Sequence, residues 1–102
     1  MNPQMIRKLQ KMQQEMLKTK KELDETVFTG SAGGMVTVEV KGNKEIVRIS
    51  INKDASLEPD DLEMLEDTIV AALNSVMEQI DQEEQERMGQ FTGGAGLGGF
   101  GF

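Results

Sequence analysis

Met35-Val36-Thr37-Val38-Glu39-Val40-Lys41-Gly42-Asn43-Lys44-Glu45-Ile46-Val47-Arg48-Ile49-Ser50-Ile51 alternates apolar and polar residues on both sides of a Gly-Asn pair. A period of two in β-branched residues, broken by Gly-Asn, predicts a β-hairpin. In the first strand Val36, Val38 and Val40 share one face, opposite Thr37, Glu39 and Lys41. In the second, Glu45 to Ile51, Val47, Ile49 and Ile51 face one way and Arg48 and Ser50 the other. Just upstream, Val27 to Ser31 is β-prone and runs into Ala32-Gly33-Gly34, so a third strand joins the hairpin through a glycine turn or bulge.

Helical patterns flank this sheet. Asn2-Pro3 is a good helix start, because Asn caps free N–H groups and Pro at the first position has no N–H to leave unpaired. Nothing interrupts a helix from there to about Thr26. Met5, Leu9, Met12, Met16, Thr19 and Leu23 recur at alternating spacings of 4 and 3 and form one stripe. After a loop from Ile51 to Glu58, Pro59 opens a second helix, capped by Ser56 or Glu58. Asp60, Asp61 and Glu63 fill its first turn, where the helix dipole favours acids. Leu62, Leu65, Ile69, Ala72, Leu73, Val76 and Ile80 give it an apolar face, and Gly89 should stop it after Met88. Residues 89–102 contain seven Gly and no charge, a composition expected to be disordered.

The expected fold is therefore α+β: a long N-terminal helix, a three-stranded antiparallel sheet and a C-terminal helix. Residues 1–88 form the single folded domain and 89–102 a Gly-rich disordered tail. A helix from Pro3 to Thr26 is roughly 36 Å long, whereas a seven-residue strand spans roughly 23 Å. One small sheet cannot cover the whole stripe. An intertwined homodimer follows as an expectation, with Met5, Leu9, Met12, Met16 and Leu23 in its core.

Charge is distributed unevenly. The chain carries −7 in all, yet Arg7, Lys8, Lys11, Lys18, Lys20 and Lys21 face only Glu15 in the first twenty-one residues. From Asp54 to Gln90, twelve acids stand against Arg87 alone. Stepping round the first helix at about 100° per residue gathers Arg7, Lys11, Lys18 and Lys21 opposite the apolar stripe. They cover about 21 Å of helix, a useful length along a nucleic-acid backbone. The plain alternative is a solvated helix face. Nucleic acid is further opposed by the total charge, the scarcity of aromatics for stacking, and the lack of a helix-turn-helix or zinc-finger pattern. Phosphate contact, not base readout, is what such a stripe offers.

Other chemistry is poorly supported. With no Cys and no His, Ser-His nucleophilic catalysis and the usual zinc ligand sets are excluded. Asp60, Asp61, Glu63, Glu66 and Asp67 spread round a helix start without calcium-loop spacing and read as a solvated face. Gly30-Ser31-Ala32-Gly33-Gly34 lacks the Gly-Lys-Ser/Thr ending of a phosphate loop and leads into a strand. No cofactor, metal or small-molecule substrate is expected. No apolar run reaches transmembrane length, and the amphipathic N-terminus has no apolar signal region, so neither membrane insertion nor export is expected. A helix lying on anionic lipid is a further reading, disfavoured because Trp and Phe are absent from the apolar stripe.

Taken together, three stretches and the Gly-rich end resemble the YbaB/EbfC family of bacterial nucleoid-associated proteins over nearly the whole chain. They are Met5 to Met16, Ser31-Ala32-Gly33-Gly34 followed by Val36, Val38 and Val40, and Leu65 to Asn74. Met35 and Thr68 stand where a third Gly and a Leu are common, which touches packing more than activity. The resemblance implies a small cytoplasmic homodimer with paired helices projecting like tweezers. It also implies DNA binding, altered DNA conformation, a nucleoid or gene-regulatory role, and no catalysis. It maps no binding residue by motif. The expected phosphate contacts thus come from helix geometry: Arg7, Lys11, Lys18 and Lys21, with Lys8 and Lys20 as weaker members. The competing expectation is a coiled-coil-type protein-interaction adaptor that does not bind DNA.

Overall fold

The computed structural model describes residues 2–92. Helix α1 (Pro3–Glu25) leads into strands β1 (Val27–Ala32), β2 (Val36–Lys41) and β3 (Ile46–Ile51). A short 3-10 turn at Pro59–Asp61 opens helix α2 (Leu62–Thr92). The strands form one antiparallel sheet in the order β1-β2-β3. The α+β expectation holds.

Local chemistry sets the ends of each element. The side chain of Asn2 accepts a hydrogen bond from the Met5 N–H at 2.7 Å, closing the first turn of α1. At the other end the Thr26 N–H turns back to the Glu22 and Leu23 carbonyls, and its hydroxyl donates to Glu22 at 2.7 Å. Gly33 and Gly34 both lie at positive φ, 62° and 63°, in the β1–β2 connection, where a side chain would be strained. Glu58, not Ser56, stands at the start of the second helical segment, and its N–H donates to the Asp61 carboxylate at 2.9 Å.

The core lies where α2 crosses the sheet. Leu23, Phe28, Val36, Val38, Val40, Ala72, Val76 and Ile80 are buried. Each of the Leu, Ile, Val and Phe side chains contributes about 1.5 to 3 kcal/mol by leaving water, and Ala72 less, so this small cluster holds the fold together. Close approach depends on Gly30, where a Cβ would come within 2.9 Å of the Ala72 carbonyl and of Val76. Leu23, expected in the dimer core, is fully buried inside the protomer beside Ile80 and presents nothing to a second chain. The stripe of α1 meets this core only at its C-terminal end. Met16 is half-buried, while Met5, Leu9 and Met12 remain exposed.

Two further details depart from expectation. First, α2 does not stop at Gly89 but runs on to Thr92. A single interior glycine costs only about 1 kcal/mol relative to alanine, and Gly89 stays helical rather than turning left-handed. Residues 93–102 of the expected Gly-rich tail lie outside the described residues. Second, the β2–β3 register slips between Glu39 and Val40: Glu39 opposes Arg48 but Val40 opposes Ile46. Val47 is therefore an inserted bulge residue. Ile46, Ile49 and Ile51, rather than Val47, Ile49 and Ile51, share the face of Val40, Val38 and Val36. All six residues of β3 are nevertheless exposed.

Candidate nucleic-acid interface

Helices α1 and α2 leave the sheet together as an antiparallel pair. Lys20 of α1 meets Glu84 of α2 at 3.3 Å. Further out, Glu15, Lys18, Thr19 and Glu22 line a groove with Gln90 and Phe91. N-terminal to Glu15, roughly 18 Å of α1 projects past the described end of α2. This tip has two faces. One carries Met5, Leu9 and Met12; the other carries Arg7 and Lys11, with Lys8 to one side.

The structure separates the six basic residues predicted for the site into two groups. Arg7, Lys8, Lys11, Lys18 and Lys21 are exposed, and none of the five is in an ion pair among the described residues. They are free to neutralise external anions. Lys20 is different. Its ammonium sits 3.0 Å from Asp24 and 3.3 Å from Glu84, clamping α1 to α2. The hydrogen bond to Asp24 raises its pKa above 10.5; partial desolvation opposes the shift and Glu84 adds to it. A raised lysine pKa means that the clamp contributes fully below pH 10.5 and is lost as pH rises through the folded value. Asp24, four residues on from Lys20, was legible as a helical partner. Glu84 was not, because only the tertiary pairing of the helices brings it near.

Around the basic stripe the field has the opposite sign. Glu78, Asp81, Glu83, Glu84 and Glu86 sit on the outer half of α2. Two of the cations near them are already engaged. Arg87 donates to Glu83 at 2.6 Å, and Lys44 pairs with Asp81 at 2.9 Å. Screening confines these fields to about 8 to 10 Å at ordinary salt. Positive charge is therefore concentrated along the basic face of α1 and negative charge along the outer half of α2.

Elsewhere the surface offers little chemistry. Asp60, Glu63 and Asp67 line a shallow hollow with Gly33, Met64 and Thr68. Among the described residues, no group of three His, Cys, Asp or Glu side chains is arranged to hold a metal ion. No helix of the described residues is long and apolar enough to cross a membrane.

The model of the YbaB/EbfC DNA-binding family matches residues 1–95. A nucleoid-associated protein of Oceanobacillus iheyensis is 46% identical over 96 residues, covering 93% of this chain and 91% of the relative. One from Clostridium novyi is 45% identical over 96 residues, covering 93% and 83%. The fold is similar to the crystal structure of an uncharacterised Helicobacter pylori protein, with a TM-score of 0.66 and 24% identity, covering 84% of this chain and 91% of that one.

Proposed function

The chain belongs to the YbaB/EbfC DNA-binding family, and from that premise we propose that it is a nucleoid-associated protein gripping duplex DNA by the basic face of α1. The carrying observation is the set of five exposed cations, in no ion pair among the described residues, on one helix of a chain whose net charge is −7. Each of Arg7, Lys11, Lys18 and Lys21 contacts a phosphate, with Lys8 at the edge. The protein acts at the nucleoid as a homodimer. Two basic helices engaging one duplex alter its path. Contacts of this kind read charge and shape rather than base identity, so the protein discriminates weakly between sequences.

Fluorescence anisotropy with labelled duplex across a salt series tests the proposal. Four to eight phosphate contacts predict a slope of about −3.6 to −7 in log K against log salt. Failure of micromolar protein to bind DNA even at low salt overturns it.

Lys20 supplies a contrast within the same helix. Lys20→Ala leaves the salt slope unchanged, whereas Lys18→Ala flattens it by about 0.9 for each engaged helix, about 1.8 when both helices of the homodimer grip the duplex. The cost of Lys20→Ala appears in urea unfolding instead, as a loss of about 0.5 to 1 kcal/mol, small because the ion pair is solvent-screened. The exposed Met5, Leu9 and Met12 favour a second reading, a helical protein-interaction adaptor. An adaptor shows no salt-dependent DNA affinity.

A further inference from the structure

The apolar stripe of α1 outruns the helix that covers it. At its C-terminal end Leu23 is buried and Met16 half-buried. At about 100° per residue Met12, Leu9 and Met5 fall within about 40° of the same line, so they continue that face past the described end of α2. There they are 39%, 51% and 54% exposed. The cations point elsewhere: Lys11 lies about 160° round the helix from Leu9. Because the two helices are antiparallel, the axis of α2 at Thr92 runs along this stripe towards the N-terminus of α1. Phe91, half-buried, lines the groove with Glu15, Lys18 and Thr19. Chain leaving Thr92 therefore starts at the near end of the uncovered stripe.

We propose that residues 93–102 of the same chain cover this stripe, seating Leu97, Phe100 and Phe102 against Met12, Leu9 and Met5. Reach and chemistry select that occupant. Met5, at the far end, stands about 15 Å beyond the level of Glu15. The five residues from Thr92 to Leu97 span up to about 17 Å, and the eight to Phe100 up to about 27 Å. The segment reaches the whole stripe without full extension. It holds two of the four Phe in the chain and no charged side chain. It thus brings apolar area to Met and Leu without an acidic side chain that would compete for the basic face. Six of its ten residues are Gly, with no side chain to hold the backbone off the helix. The α1 tip of a second copy fits less well, because Arg7, Lys8 and Lys11 of both would share one neighbourhood with no acid before Glu15. Covered by its own chain, the stripe is shielded from unspecific association, and Arg7 and Lys11 stay open on the opposite face.

The test uses the full chain without DNA. The sequence has no Cys, so two introduced thiols report only on each other. Leu9→Cys/Gly98→Cys places one thiol on the stripe and one in the segment. Lys11→Cys/Gly98→Cys moves the first to the basic face at nearly the same height. A tether without docking presents Gly98 similarly to both faces, whereas docking makes the Leu9 pair close an intrachain disulfide roughly tenfold faster. Neighbouring cations lower a thiol pKa and favour the Lys11 pair, so the expected order runs against the electrostatic bias. In a second measurement, Leu97→Ser/Phe100→Ser/Phe102→Ser speeds amide hydrogen exchange from Arg7 to Gln14 by roughly three- to tenfold and leaves the sheet unchanged. The α1 positions are exposed and the others lie outside the described residues, so the core is untouched. Equal disulfide rates for the two pairs, or unchanged exchange in the triple variant, overturn the proposal. A disulfide that joins two chains gives the stripe to the segment of a second copy and overturns the assignment within one chain.

Discussion

Replacing Arg7, Lys11, Lys18 and Lys21 together by Ala lowers DNA affinity near 0.1 M salt by about three to four orders of magnitude for each α1 that engages the duplex. The arithmetic comes from counterion release: each lost phosphate contact removes about 0.9 from the magnitude of the log–log salt slope, so the four of one helix remove about 3.6 and the eight of a two-helix grip about 7. The slope and the affinity must change together, which separates this effect from unfolding or a lost shape contact. All four side chains are exposed and outside ion pairs, and Ala is the best helix former, so unfolding free energy stays within about 0.5 kcal/mol of wild type. Net charge moves from −7 to −11, adding general repulsion of DNA, but that contribution is screened beyond about 10 Å. Anisotropy titrations at several salt concentrations, alongside urea unfolding of the same preparation, check both halves. An unchanged slope removes α1 from the DNA site.

The second large effect is on the fold itself. Gly42→Val is expected to cost about 3 kcal/mol or more, a large part of the stability of so small a domain. A Cβ at Gly42 would overlap the carbonyl group of Leu23 and lie 3.3 Å from the Asp24 nitrogen. These are backbone atoms at the end of α1 and cannot swing aside as a side-chain tip can. The Gly42 N–H also donates to the Thr26 carbonyl at 2.9 Å, so any retreat breaks that bond. Gly42 is thus the point where the β2–β3 connection seats the root of α1 against the sheet. Urea denaturation followed by circular dichroism measures the loss. DNA affinity falls with it, because a basic helix detached from its base no longer presents its cations in a fixed line. A stability within 1 kcal/mol of wild type contradicts the close packing described.

The two glycine sites show how differently local and distant information act. Gly33 and Gly34 could be read directly as a turn, since their conformational need arises within a few residues. Gly42 was legible as a turn residue too, but not as a packing contact, because its neighbour Leu23 is nineteen positions earlier in the chain. Leu23 illustrates the same limit. Its place in the α1 stripe was apparent from spacing, yet spacing could not tell an intramolecular core from an interface.

Sequence by itself determined the elements and the sign of the surface. Periods of two and of about 3.6, the Asn2-Pro3 and Pro59 starts and the glycine turn are properties of neighbouring residues, and they produced the α+β order without tertiary knowledge. The collection of cations on α1 and acids on α2 was equally plain, because charge depends on residue type alone. Only the tertiary structure decided which of those charges remain available. Pairing α1 with α2 commits Lys20 to Asp24 and Glu84 and leaves Lys18 and Lys21 free. Only it showed that Val36 and Ile51, opposite each other on one face, meet different fates, 1% and 40% exposed. The physical reason is width: alternation says that a strand has an apolar face, whereas the breadth of one helix against three strands decides whether that face is covered.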